Sequence, residues 1–300
     1  MAFRFQRRES VLEGCLRIVN EQVATITGIL REECAEGPSA ADIHRARTCL
    51  KRLRALLRLV RGEIARKVFT AAEGTFRDTG KRLAPARSTA VLVSTLDRIT
   101  AKCDLVGKGE IERVRVVLVA AAQRSRRTTL TAERRLALAT KLEETVARLE
   151  RVRFANSGWE ALREGVRRTY RQGRKASEEL RDAPETSGLH AWRRRVKDLW
   201  YDLLLLSRLP VDGLPEATEQ ARMLSELLGE DHDLTMLAAE LRRRPARFGK
   251  GGPPLRLHRA IADGRKRLLR QIFRLSRRLY APRPHTVLSD LHHGWEKWRG

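Results

Sequence analysis

The sequence has few cysteines and few aromatic residues, and each shortage argues against particular folds or sites. Only four of its 300 residues are cysteine, at positions 15, 34, 49 and 103, and none forms a C-x-x-C pair. We therefore expect neither a disulfide framework nor a zinc site, and we predict a reducing compartment. Aromatic residues make up 5% of the chain, and segments that alternate polar with apolar residues are nearly absent. A β-sandwich is therefore not expected.

Long apolar runs are also missing. The longest, residues 116–122, is far shorter than the roughly 20 residues that a membrane-spanning helix needs. The first ten residues carry positive charge with no apolar segment behind them, so they do not resemble a secretory signal. We predict a cytoplasmic protein.

Positive charge and helix-forming residues are what the chain has in excess. Lys and Arg number 62 against 37 Asp and Glu, which gives a formal net charge of +25 and a pI near 11.2. Such an excess is typical of proteins that bind a polyanion: nucleic acid, an anionic membrane surface or a polyphosphate-like polymer. The abundance of Leu, Ala, Arg and Glu, and the spacing of the apolar residues, predict an all-helical chain.

One predicted helix, at residues 42–61, separates its charges from its apolar residues. At about 100° per residue, one set of cations falls within an arc of about 80°. We call this set the first cation row: Arg47, Lys51, Arg54, Arg58 and Arg61. The apolar set beside it should face the core: Ala46, Cys49, Leu50, Leu53, Leu56, Leu57 and Val60. Because closely spaced like charges repel one another, we expect the row to face an anion.

The same pattern recurs later in the chain. H-x-x-R-x-x-x-K occurs twice, 146 residues apart, as His44, Arg47 and Lys51 and as His190, Arg193 and Lys197. We call Arg193, Arg194 and Lys197 the second cation row. It is shorter than the first, since Trp200 and Leu204 replace the next two arginines. Two sequence-related halves predict a duplicated helical bundle with pseudo-twofold symmetry, in which both rows face a shared space.

The breaks between apolar segments suggest where the halves divide. We place the first helical half at residues 1–130, the second at 131–284 and a closing helix at 285–300. Within the second half we expect one helix at 215–228, ended by Gly229, and another at 234–244. Asp231 and Asp233 would lie near the start of that second helix as caps.

These motifs resemble those of the CHAD domain, the conserved histidine α-helical domain, over about residues 9–283. The twin histidine helices carry the resemblance, together with a Y-x-x-G-R element matched by Tyr170, Gly173 and Arg174. An L-G-x-x-R-D-like element is matched imperfectly. Ser88 follows Arg87 where the family has Asp, and His232-Asp233 keeps the Asp without the Arg.

The resemblance implies two four-helix bundles around a basic central channel that binds inorganic polyphosphate. Some relatives carry an added domain with an E-x-E-x-K signature; here Val114 stands in place of that Lys, so we expect a stand-alone CHAD protein. We predict a non-enzymatic targeting or scaffold protein, associated with polyphosphate granules. The expected polyphosphate contacts are His44, Arg47, Lys51, Arg54, Arg58, Arg174, Lys175, His190, Arg193, Arg194 and Lys197.

Several alternatives stay open at this point. His44 and His190 either contact phosphate directly or pack and cap neighbouring helices, and near so many cations their neutral form is expected without ligand. A nucleic-acid binder would favour aromatic rings interleaved with the cations. A metal-dependent phosphohydrolase would need a carboxylate cluster. Metal-type Cys/His spacing, a Walker loop and a dinucleotide turn are all missing from the sequence, so we predict no metal and no cofactor.

Overall fold

The computed structural model describes residues 3–32, 37–101, 108–129, 131–243, 245–248 and 252–300; the side chains of 85–90, 108, 122 and 124–129 lie outside this description. Within these residues the chain forms eleven α-helices, two 3-10 helices and no β-strand. The all-helical prediction is therefore confirmed. The α-helices are α1 (Val11–Arg31), α2 (Ala40–Leu59), α3 (Arg66–Arg82), α4 (Ala84–Thr100), α5 (Lys108–Thr129), α6 (Ala132–Leu149), α7 (Glu160–Glu179), α8 (Thr186–Leu205), α9 (Leu214–Arg243), α10 (Leu255–Leu279) and α11 (Pro284–Arg299).

Capping boxes fix the starts of α1 and α2. At α2 the Ser39 hydroxyl accepts from the Asp42 N–H at 3.1 Å, and the Asp42 carboxylate accepts from the Ser39 N–H at 3.3 Å. Ser10 and Glu13 make the same reciprocal pair at α1. Each box satisfies two backbone donors that the first helical turn leaves open. The box at α2 thus sets where the helix that carries the first cation row begins.

The apolar side predicted for α2 is confirmed, since all seven of its residues are buried. Cys15 and Cys49 are buried free thiols; Cys34 and Cys103 lie outside the described residues, as do the side chains of Arg87 and Ser88. None of the helices in the described ranges is long and apolar enough to span a membrane.

Helix α9 is one helix of 30 residues where we predicted two. Gly229, Asp231 and Asp233 lie inside it, so the predicted helix end and caps are wrong. Contacts from other helices explain why the chain stays helical there. The Nη2 of Arg193 lies 3.4 Å from where a Cβ on Gly229 would stand, and buried Asp231 accepts from the Nε of Arg265 at 2.8 Å. These contacts outweigh the roughly 1 kcal/mol that a glycine costs inside a helix.

The helices pack in two neighbouring groups. In the first group, α1 and α3 each pack against α2 and α6; in the second, α8 packs against α7 and α9, and α10 against α9 and α7. We placed α6 in the second sequence half, and it packs with helices of the first. Helix α2 also contacts α7 and α8, and one hydrophobic core runs through both groups.

A smaller core lies at one end of α9 and α10. Helices α4 and α5 pack against each other, and α4 also packs against α9. The buried residues shared there include Leu96, Val114, Leu237 and Ile261. This second core holds α9 in place beyond Gly229, on the stretch that carries His232.

Candidate functional site

The first cation row lies on a half-buried side of α2. Arg47, Lys51, Arg54 and Arg58 are partly buried, whereas Arg61 at the end of the row is exposed, as is His44, three residues before Arg47. A cation that is partly surrounded by protein is less screened than one in open water, so it interacts more strongly with a nearby anion. Most of the first cation row therefore lies on a partly enclosed surface between helices and does not project fully into solvent.

Two members of the row form ion pairs with acids of other helices. Glu73 of α3 accepts from the Nη2 of Arg54 at 2.7 Å and from the Nη2 of Arg58 at 2.8 Å. Asp198 of α8 accepts from the Nη1 of Arg58 at 2.8 Å. The Arg58–Asp198 pair joins α2 to α8 beside Lys197, so the helices that carry the two cation rows touch at this point.

Asp198 and a second acid of α8, Asp202 one turn later, are both buried. Burial raises the pKa of Asp198, against the opposing effect of Arg58. Burial also raises the pKa of Asp202 well above its usual range, and the neighbouring charge of Asp198 adds to that shift. The shift is largest for Asp202 and favours its neutral form, which offers a metal ion no full negative charge.

Arg47 and Arg193, which occupy equivalent places in the repeated motif, both lie against a glycine. The Arg47 guanidinium donates to the backbone carbonyl of Gly80 near the end of α3, where the helix dipole favours a cation. Arg193 lies over Gly229 inside α9. The arginine of each histidine motif therefore contacts a second helix: Arg47 contacts α3, and Arg193 contacts α9.

The remaining cations of the second row differ in their surroundings. Arg194 is exposed, whereas Lys197 is half-buried. The Lys197 ammonium lies 5.5 Å from the ring centroid of Trp200 and 5.9 Å from that of Tyr201, within range of a cation–π interaction. The interaction with these rings keeps the Lys197 ammonium close to α8.

His232 is a neighbour of this row that the sequence analysis missed. Its ring centroid lies 4.7 Å from that of His190. Burial lowers the pKa of His232 to about 4, with Arg193 and His190 contributing. Desolvation by neighbouring protein atoms also lowers the pKa of His190, and Arg194 and Arg193 lower it further. No local signal could place the two rings together, because their contact depends on α9 continuing past Gly229.

The Y-x-x-G-R element has a visible packing role. The Tyr170 hydroxyl donates to the carbonyl of Pro282 at 2.9 Å, and the Tyr280 ring lies against Gly173, where a Cβ would collide with the Tyr280 hydroxyl. Arg174 donates to the Pro282 carbonyl at 3.2 Å. The element therefore ties α7 to the end of α10.

Arg174 and Lys175 also belong to a basic cleft on α7. They pair with Glu178 at 3.0 Å and Glu179 at 3.5 Å, respectively. The cleft has a volume of about 610 Å³, and its cations are Arg167, Arg168, Arg171, Arg174 and Lys175. Arg168 donates to the backbone carbonyl of Arg58, so the cleft adjoins the far end of the first cation row. The structure thus places Arg174 and Lys175 on a neighbouring surface, not within either row.

The aromatic rings of α8 are largely inside the protein. Trp192 and Tyr201 are fully buried, and Trp192 stacks on Phe273 of α10 with ring centroids 5.7 Å apart. Trp200 is half-buried and stacks on Tyr201 at 4.8 Å. These rings serve as core and helix contacts, and Trp192 and Tyr201 offer no exposed face for base stacking.

Across the described part of the chain, no group of three or more His, Cys, Asp or Glu is arranged to hold a metal ion.

Comparison with known proteins bears on both the sequence and the fold. The sequence profile of the CHAD domain matches residues 17–242. A search of curated proteins gave no match. Among solved structures, the crystal structure of the CHAD domain from the plant Ricinus communis resembles this one with a TM-score of 0.52. The match covers 97% of this chain and 96% of that chain at 18% sequence identity, so this likeness concerns the fold alone.

Proposed function

Because this chain belongs to the CHAD domain family, we propose that it binds inorganic polyphosphate through the cations of α2 and α8. The observation that carries the proposal is the Arg58–Asp198 ion pair, which links the helices of the two cation rows. Two rows on touching helices suit a linear polymer that lies along both. We further propose that the two helix groups are pseudo-twofold related bundles around a basic channel.

The chemistry of polyphosphate matches what the rows offer. The polymer repeats a negative charge at every phosphate and has no bases to be read, so it needs several separate cations. Arginine presents a planar fork to phosphate oxygens, and lysine a compact charge. We assign the main contacts to the motif residues Arg47, Lys51, Arg193 and Lys197 and to the adjacent Arg194, because the motif occurs on both helices. Arg54 and Arg58 have no counterpart in the second row, so we assign them a smaller contribution, and Arg174 and Lys175 a contact outside the rows.

A nucleic-acid ligand is the second candidate, and only the net charge of +25 favours it. Proteins that bind single strands gain much of their affinity by stacking bases on exposed aromatic rings. Here Trp192 and Tyr201 are buried in the core. This difference supports polyphosphate over RNA or single-stranded DNA.

We propose a binding role without catalysis. A metal-dependent phosphohydrolase would need carboxylates that are free to bind metal or activate water. Near the rows, Glu73 and Asp198 accept from arginines, and Asp202 is buried with its pKa raised. A cytoplasmic protein of this kind would act as a targeting or scaffold protein at polyphosphate granules.

Competition among polyanions tests this proposal. The dissociation constants of the protein for long-chain polyphosphate, single-stranded RNA and duplex DNA should be measured at physiological salt. We expect polyphosphate to bind most tightly, because its charges are the most closely spaced. Tighter binding of either nucleic acid would overturn the proposal. Release of phosphate from polyphosphate in the presence of magnesium would overturn the assignment of a purely binding role.

A further inference from the structure

We infer that His190 and His232 form a proton-dependent phosphate contact, so that polyphosphate binding at this end of α8 takes up a proton. The inference rests on the proposed function and adds to it a residue, His232, from outside the repeated motif. Histidine is the side chain best suited to such a role, since its ordinary pKa lies within the physiological range.

The geometry brings the two imidazoles together beside a cation. Their ring centroids are 4.7 Å apart, one ring on α8 and the other on α9. Arg193 of the second cation row lies over Gly229, less than one turn before His232 on α9. His190 is exposed and His232 half-buried, so an anion that contacts Arg193 can also reach the pair.

Three acids of α9 flank His232, namely Glu230, Asp231 and the half-buried Asp233, and the two before it pair with other helices. Glu230 pairs with Arg98 of α4 at 3.7 Å, and Asp231 pairs with Arg265 of α10 at 2.8 Å. Apart from burial, the described groups that shift the pKa of His232 are Arg193 and His190, and both lower it. Without ligand, this surrounding favours two neutral rings.

A bound phosphate reverses this balance. Its negative charge offsets Arg193 and favours a ring that carries two N–H donors, because an anion stabilises the protonated imidazole. Two charged rings in contact would repel each other, so we expect about one proton per pair, taken from solvent. Between the pKa of the free pair and that of the bound pair, affinity should then rise by up to about tenfold for each unit of pH decrease.

Calorimetric titration with long-chain polyphosphate tests the inference. The internal units of this polymer are strong acids, so the ligand itself takes up little proton near pH 6. Titrations at pH 6 in two buffers of different ionisation enthalpy give the number of protons taken up on binding. We expect about one for the unmodified protein and less than half of that for His232→Gln. His285→Gln, an exposed histidine at the start of α11, serves as the matched control and should match the unmodified protein.

The charge-preserving variant gives a second readout. His232→Arg places a permanent cation beside His190, so it should bind at pH 7.5 at least as tightly as the unmodified protein and lose most of the pH dependence. Binding without proton uptake, or with equal uptake in His232→Gln, would overturn this inference and leave the proposed function standing. Failure to bind polyphosphate at any pH between 5.5 and 7.5 would overturn both.

Discussion

Asp202 has its carboxyl group buried inside the protein, next to the buried Asp198. Burial raises the pKa of Asp202 well above its ordinary value, so the folded protein holds this proton to a higher pH than the unfolded chain does. The stability that this group contributes is therefore fully present below its unfolded pKa of about 4. It is lost as pH rises through the folded pKa.

Replacement of this single acid gives a prediction with a definite sign. Asp202→Asn keeps the shape of the side chain and removes the ionisation, so it should raise the Tm at pH 7.5. The gain should shrink as pH falls toward 4, where the native Asp202 is also neutral. Thermal denaturation at a series of pH values measures this difference, with the exposed Asp290→Asn as control. A lower Tm for Asp202→Asn at pH 7.5 would show that its ionised form is stabilising.

His232 should act on stability in the opposite pH range. Its folded pKa of about 4 lies below the ordinary value of 6.5, so the unfolded chain binds the proton more readily. The stability it contributes is present above pH 6.5 and is lost as pH falls from 6.5 toward 4. Without polyphosphate, His232→Gln should therefore lose less Tm than the unmodified protein between pH 7 and 4.5. An identical loss in both proteins would mean that His232 is not held neutral by its surroundings.

At the scale of the helices, a close approach between α7 and the end of α2 is the most constrained contact. A Cβ on Gly165 would collide with the backbone carbonyl of Leu59, the last residue of α2. Backbone cannot move aside as a flexible side chain can, so only glycine fits there. This contact sets how α2, and with it the first cation row, lies against the second helix group.

Two glycine-to-alanine substitutions distinguish the effect of this close contact on stability from the effect of helix propensity. Gly165→Ala should lower the free energy of unfolding by about 2 kcal/mol or more, because it forces the two helices apart. Gly74→Ala in α3, where a Cβ would meet nothing within 4 Å, should instead raise it by about 0.5–1 kcal/mol. Urea denaturation of both variants measures the difference. Similar effects from the two substitutions would contradict the close packing.

The element scale also shows what the sequence could predict. The apolar side of α2 followed from residue spacing, because burial on one face is a property of a single helix. The helix end predicted at Gly229 was wrong, because contacts with Arg193 and Arg265 from other helices keep the chain helical there. The acids that pair with Arg54 and Arg58 also come from other helices. No pattern within α2 could identify them.

For the whole molecule, the net charge of +25 raises the question of whether arrangement or total charge governs binding. A basic surface attracts any polyanion, and that attraction weakens as salt rises. We expect the arrangement of the cations to govern affinity for polyphosphate. Arg47, Lys51, Arg193 and Lys197 should matter more than four exposed cations elsewhere, because these four lie partly buried on touching helices.

Polyphosphate binding by two charge-reversed variants tests this expectation most directly. One variant reverses four row residues to Glu: Arg47, Lys51, Arg193 and Lys197. The control reverses four exposed cations of α10 to Glu: Arg259, Lys266, Arg270 and Arg277. Each substitution of Arg or Lys by Glu lowers the net charge by two, so four substitutions lower it from +25 to +17 in both variants.

Affinity for long-chain polyphosphate at physiological salt is the quantity to compare, with circular dichroism to confirm that both variants stay helical. We predict that the row variant loses about 100-fold or more in affinity and the control less than about tenfold, since a screened surface cation contributes little to binding. Equal losses in the two variants would contradict this prediction, because they would mean that total charge, and not the paired rows of α2 and α8, holds the polymer.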